Sequence, residues 1–256
     1  MLPLLKQKRE DMHLAQAREH YGKARSGLDE LAAGAPGKGL IHPQQIAKAI
    51  SDHAADDAIF TCDVGLPTVW AARYLAMNSK RRLLGSFCHG SMASAMPQAI
   101  GAQAAFPGRE VVSLSGDGGF TMLMGDVLSL VQLGLPVKVV VFNNGALGFI
   151  ELEQKSTGFL SFGTDFKNPN FAAMAEVIGI RGIRLEDPAE VNDGIAAAFA
   201  HDGPVLVDAV VNRTELVMPP SITMEMARGF TLYMVKAVMS GRSDELIDLA
   251  RANLWR

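Results

Sequence analysis

The sequence predicts a doubly wound α/β fold, a mostly parallel sheet with helices on both faces. Three observations carry this expectation. Short strand-like runs recur at 58–62, 110–115, 137–142, 181–185 and 204–211. The run at 137–142 is apolar at every position but Lys138, as a strand covered on both faces requires. Helix-compatible segments at roughly 66–78, 92–106, 119–133, 170–179 and 188–201 separate these runs, and such alternation places crossover helices over parallel strands.

Composition narrows the function classes. Of 256 residues, 48% are hydrophobic and 20% charged, which is ample material for a packed core and excludes general disorder. The net charge of −3 argues against a nucleic-acid partner. Two cysteines, Cys62 and Cys88, exclude a disulfide scaffold and fit a reducing compartment. No run of 18 apolar residues suggests a membrane span, and the five N-terminal residues run into Lys6, Lys8 and Arg9 too soon for a signal peptide. A cytoplasmic protein is expected. Three segments are expected: a charged helical and linker stretch at 1–38 ending in a Gly/Pro-rich run, the α/β domain at 39–214, and an amphipathic tail at 215–256.

In doubly wound sheets ligands sit beyond the carboxyl ends of the strands. Two strand ends stand out. The run at 110–115 leads into Gly116, Asp117, Gly118 and Gly119, and that at 137–142 into Asn143, Asn144, Gly145, Ala146, Leu147, Gly148 and Phe149. Glycines at a strand-to-helix turn let a phosphate approach the backbone. The dinucleotide fingerprint is incomplete, because Thr121 stands where its third glycine belongs. Asp117 lies between the glycines, where it would repel a bare diphosphate. A hard divalent cation removes the conflict: Mg²⁺ takes oxygen ligands from one or two carboxylates and substrate phosphates. Asp117, the Asn144 carboxamide and a backbone carbonyl at Ala146 are the expected protein ligands.

Gly-Asp-Gly, a spacer of 24 residues between Gly118 and Asn143, and then Asn-Asn resembles the signature of thiamin diphosphate-dependent enzymes. The resemblance implies the thiamin diphosphate-binding fold and extends to a third strand end, 81–92. There it implies that the Gly90 carbonyl and the Met92 amide hold the aminopyrimidine, beside Ser91, and that the Met92 side chain props the thiazolium; taken alone, Met92 reads more readily as core filler. The implied cofactor-binding residues are Gly90, Ser91, Met92, Asp117, Gly118, Gly119, Asn144, Gly145, Ala146, Leu147, Gly148, Phe149 and Ile150. Segments 57–65, 67–75, 116–119, 147–149 and 229–234 look most like the bacterial quinone-reducing pyruvate oxidases. That resemblance implies pyruvate and quinone as substrates, acetate and carbon dioxide as products, and homo-oligomers. It implies FAD in a flavin domain that, like the pyrimidine domain with its activating glutamate, lies outside this chain, so the chain alone is expected to be inactive. It names Phe149 and Glu153 as catalytic candidates. Phe149 reads equally as core, Glu151 and Glu153 as a solvated helix face, and His89 as a structural histidine close to the cofactor by position. Cys88 departs from the family's usual polar amide.

The tail carries Leu246, Ile247, Leu249, Ala250, Leu254 and Trp255 behind Gly241 and a helix start at Ser243, Asp244 and Glu245. Such a stripe usually packs on its own domain. The resemblance implies instead that it binds lipid, which places the protein peripherally at the inner face of the cell membrane. The tail has five basic and five acidic residues, so apolar insertion would have to drive it. A related enzyme such as acetolactate synthase and a non-catalytic cofactor-binding module are the competing readings.

Overall fold

A computed structural model describes residues 10–33, 39–217 and 222–253. The expectations for Met1 to Arg9, for most of the Gly/Pro run and for Leu254 and Trp255 lie outside these residues. In chain order the elements are α1 (Met12–Ala33), α2 (Pro43–His53), β1 (Ile59–Cys62), α3 (Leu66–Tyr74), β2 (Arg82–Gly85), α4 (Ala95–Ala105), β3 (Val111–Gly116), α5 (Asp117–Met122), α6 (Val127–Leu133), β4 (Lys138–Asn143), α7 (Gly148–Ser156), α8 (Phe171–Val177), β5 (Arg181–Leu185), α9 (Val191–Phe199), β6 (Val205–Val210), α10 (Met224–Met239) and α11 (Ser243–Asn253). The six strands form one parallel sheet in the order β2-β1-β3-β4-β6-β5.

Side chains alternate across the sheet, as the period of two demands. Phe60, Cys62, Val112, Leu114, Val140, Phe142, Val205 and Val207 face a core closed by α2, α3 and α9, where Ile46, Ile50, Trp70, Tyr74 and Ile195 are buried. Ile59, Val111, Val139, Val141 and Leu206 face a second core under α4, α5, α6 and α8, built on Met96, Phe120, Leu130 and Phe171. The second face also carries directional bonds: Thr61 Oγ1 donates to the Ala95 carbonyl at 2.8 Å, and Asp208 Oδ2 accepts from the Phe171 amide at 3.0 Å. The chain leaves β1 toward β2 on one side and returns through β3 to the other, so the switch point lies between β1 and β3.

Three sequence expectations are corrected. The helix expected at 119–133 starts at Asp117 and is broken between Met122 and Val127, with Leu123 outside helical geometry and a 3₁₀ turn at Met124–Asp126. Thr121 bonds back to the Gly118 carbonyl at 2.9 Å and Gly125 lacks helix propensity, so the segment does not propagate. The helix expected from Met92 begins at Ala95, because Ala93 takes a left-handed φ of +61°. The segment at 188–201 splits into a 3₁₀ turn, Pro188–Glu190, and α9.

The first and the last two described helices dock on this body. Arg25 of α1 donates to the Arg73 carbonyl at the end of α3, 2.9 Å away. Gly241, at φ +73°, separates α10 from α11. Tyr233 and Ala237 of α10 and Leu249 and Ala252 of α11 are buried, whereas Val235, Val238, Met239 and Ile247 are exposed. Lys236 Nζ donates to the Gly158 carbonyl at 2.8 Å, and Gly229 lies so close to α7 that a Cβ there would overlap the Ser156 carbonyl oxygen. Gly229→Ala is therefore expected to cost about 1–3 kcal/mol through overpacking. Limited proteolysis should remove α10 and α11 from the variant faster than from the wild type while the sheet core survives; equal cleavage would mean the two helices are not seated through Gly229.

Candidate functional site

A cavity of about 220 Å³ opens at the carboxyl ends of β1, β3 and β4, at the switch point. Its walls come from 63–67 after β1, Gly90 and Met92 after β2, Gly116–Gly119 after β3, and Asn144 with Ala146–Ile150 after β4. Asp117, Gly118, Gly119, Asn144, Ala146, Leu147, Gly148, Phe149 and Ile150, singled out in the sequence, all line it with Gly90 and Met92.

Asp117 is buried and ties two strand ends together. Its Oδ1 accepts from the Gly118 amide at 2.8 Å, and its Oδ2 accepts from the Gly145 amide at 2.7 Å and from Asn168 Nδ2 at 2.7 Å. Burial pushes its pKa up, and these donors oppose the shift. Asn144 Oδ1 accepts from the Ala146 amide at 3.1 Å, which closes a tight turn, and the Ala146 carbonyl accepts from the Gly148 amide at 2.9 Å. The Asp117 and Asn144 side chains and the Ala146 carbonyl thus bring hard oxygen donors to one cavity. A Cβ at Gly148 would come within 2.8 Å of Asn144 Nδ2, so glycine keeps that turn closed.

Four sequence candidates lie off the cavity wall. Gly145 contributes its amide to Asp117 but does not line the cavity. Ser91 is half-buried and uses its carbonyl to accept from the Val64 amide at 3.3 Å. His89 is exposed, with Cys88 beside it. Glu153 is exposed and faces a neighbouring apolar groove lined by Val69, Leu152, Val217, Met226 and Phe230, which it shares with Phe149. The solvated-face reading fails for Glu151. It is buried, where it accepts from Lys155 Nζ at 2.7 Å, Ser161 Oγ at 3.1 Å and Arg213 Nε at 2.9 Å. Burial works to raise its pKa, but Lys155 and Arg213 hold it below the usual carboxylate range.

The structure adds residues that the glycine-rich strand ends do not single out. Asp63 follows β1, is 2% exposed and lines the cavity. Its Oδ1 accepts from the Ala95 amide at 2.9 Å, which anchors the start of α4 beside the left-handed Ala93. Its Oδ2 has no hydrogen-bond partner among the described residues and packs against Gly119, where a Cβ would overlap it. Asn168 is a second addition, reached only through the fold. Glu215, at the start of the tail segment, is buried against Gln44 Nε2 at 2.8 Å and lines the same cavity.

A glycine-lined cavity at the switch point of a parallel sheet, with a buried aspartate bracing two strand-end turns, defines a cofactor-binding α/β domain. The chain belongs to the family described as thiamine pyrophosphate enzyme, C-terminal TPP binding domain, whose model matches residues 63–209. It is 36% identical over 224 residues to the Bacillus subtilis protein YdaP, named for thiamine pyrophosphate, covering 88% of this chain and 38% of YdaP. It is 37% identical over 187 residues to the acetolactate synthase large subunit of Parasynechococcus marenigrum, covering 72% of this chain and 30% of the synthase. The corresponding subunit of Lactococcus lactis is 34% identical over 181 residues, covering 70% and 31%. The chain thus spans only three- to four-tenths of the length of these relatives.

Asp63 gives the site a pH signature. Burial pushes its pKa from 3.8 up to about 6, against the opposing Ala95 amide. The fold therefore binds this proton more tightly than the unfolded chain does. Stability should fall as pH rises from 3.8 through about 6 and stay lower above that range. Asp63→Asn keeps the acceptor for Ala95 and removes the titration. In denaturant titrations its stability relative to wild type should rise by up to about 3 kcal/mol between acid and neutral pH. A pH-independent difference would refute the assignment.

Proposed function

We propose that this chain supplies the diphosphate- and Mg²⁺-binding part of a thiamin diphosphate-dependent enzyme of the acetolactate synthase type, acting on pyruvate. The observation that carries the cofactor assignment is the Asp117 carboxylate braced between the turns after β3 and β4, with Asn144 and the Ala146 carbonyl lining the same cavity. These oxygens suit a small hard cation, and the glycine turn at 116–119 presents backbone amides at the start of a helix to a diphosphate beside it. When bound, thiamin diphosphate supplies the electron sink for decarboxylating a 2-oxo acid.

Asp117, Asn144 and Ala146 would hold the cation, Gly90 and Met92 the aminopyrimidine end, and Phe149 and Ile150 would shield the reacting centre from water. Phe87, Met122, Leu123 and Phe149, on segments that frame the cavity, expose apolar surface. This supports a second domain closing over it, in the same chain or another, and a homo-oligomeric assembly. The choice of synthase over oxidase rests on the names of the relatives.

A second reading, quinone-linked oxidation of pyruvate with FAD in a further domain, is favoured by the apolar strip of Val235, Val238, Met239 and Ile247 on the C-terminal helices. No helix among the described residues is long and apolar enough to cross a membrane, so lipid contact in this reading is peripheral, by interfacial insertion.

Calorimetry with thiamin diphosphate should show binding that requires Mg²⁺ and is weakened at least 100-fold in Asp117→Ala; undiminished, metal-independent binding by the variant would overturn the cofactor site. Extracts overproducing the chain, given pyruvate, thiamin diphosphate, Mg²⁺ and FAD, separate the two readings. Acetolactate, measured as acetoin after acid treatment, supports the synthase. Acetate formed with reduction of a quinone-like dye supports the oxidase and refutes the synthase.

A further inference from the structure

Asn168 lies in the loop before α8, 25 residues beyond Asn143, and is half-buried. Its Nδ2 donates to Asp117 Oδ2 at 2.7 Å and to Asn143 Oδ1 at 2.9 Å. Asn143 Nδ2 in turn donates to Asp208 Oδ1 at 2.8 Å. Asp208, on β6, is fully buried, and its Oδ2 accepts from the Phe171 amide and from Arg184.

The direction of this chain is fixed by its ends. An ionised carboxylate only accepts, so Asp208 forces the Asn143 amide to turn its nitrogen toward β6 and its oxygen toward Asn168. Asn168 then meets two acceptors, the Asn143 oxygen and Asp117, and only its nitrogen can satisfy both. Neither amide can flip without setting an oxygen against a carboxylate, at a cost of the order of a buried unsatisfied group. Asp117 Oδ2 therefore receives two donors and Oδ1 one, which leaves a lone-pair direction on a carboxylate that lines the cavity.

We propose that Asn168 is a positioning residue for the cation site: through the relay Asp208–Asn143–Asn168 it holds the Asp117 carboxylate in the single orientation that accepts a small divalent cation. The proposal rests on the cofactor reading above. A rigid carboxylate favours Mg²⁺, which demands near-ideal octahedral geometry, over the larger and more tolerant Ca²⁺. Loss of the outer partner loosens the ligand and erodes that preference.

The test is calorimetric titration of thiamin diphosphate into the full chain with Mg²⁺ or Ca²⁺ alone. Asn168→Ala should weaken Mg²⁺-dependent binding about 10–100-fold, lower Ca²⁺-dependent binding less, and lower the metal-free unfolding temperature, since two acceptors lose their donor. Asn168→Ser, which keeps one donor, should fall between and serves where the alanine variant does not fold. Wild-type protein that binds neither ion with thiamin diphosphate would overturn the cofactor reading and this proposal with it. Wild-type binding with an unchanged Asn168→Ala, or equal losses for both ions, would overturn the proposal alone and leave the cofactor site standing.

Discussion

The site depends on one buried carboxylate. Asp117 opens α5 and reaches across to the turn after β4, so the walls left by two neighbouring strands are joined at their lip. Taking a carboxylate out of water costs several kcal/mol unless it is hydrogen-bonded. Three donors meet it, two backbone amides and Asn168, and bonds to an ionised acceptor contribute about 1.5–3 kcal/mol each. The balance is close enough that the carboxylate is held in place without being neutralised by an adjacent cationic side chain. A lysine in that position would satisfy Asp117 and occupy the space where a metal has to sit.

A second carboxylate solves a different problem. The start of α4 must lie beside the 116–119 turn, yet Ala93 reaches it only in a left-handed conformation that costs an L-residue roughly 1–2 kcal/mol. Asp63 and Thr61, both on the β1 segment, take the amide and the carbonyl of Ala95 and offset that strain. The switch point between β1 and β3 is where these demands meet. The two strands diverge in topology there, and helices approach from opposite faces of the sheet.

Most of the sheet was legible because its central strands are buried on both faces and need β-branched, apolar residues. The edge strand β2, Arg82–Gly85, has no β-branched residue and alternates with solvent, so it gives no such run. The helix α2 was legible in principle, since Pro43 marks its first turn and Ile46, Ala47, Ala49 and Ile50 share its buried face. The cavity wall was legible where chemistry sits at a strand end, as at Asp117 and Asn144. Asp63 meets the same rule at the end of β1, but the single Gly65 beside it makes no glycine cluster that would point to a phosphate. Asn168 carries no local signal at all, because only the tertiary path of the loop brings it to Asp117. Helix boundaries depart from the sequence pattern where side chains compete with the backbone, as Thr121 and Asp63 do.

The two faces of the sheet differ in what holds their helices. Under α2, α3 and α9 the strands contribute mostly apolar side chains such as Phe60, Leu114 and Val140; Cys62 Sγ meets Thr68 Oγ1 of α3 only at 3.8 Å, and Lys138 Nζ bonds carbonyls beyond the end of α9. Under α4 and α8 they also contribute Thr61 and Asp208, whose bonds fix a particular residue of each helix to a particular residue of the sheet. Apolar contacts are non-directional and survive exchanges that conserve volume, whereas a fixed hydrogen bond tolerates neither a slide nor a rotation. The first face can therefore drift, its helices shifting by fractions of an ångström as the side chains beneath them are exchanged. The second face behaves as a jig against which the cofactor cavity is gauged.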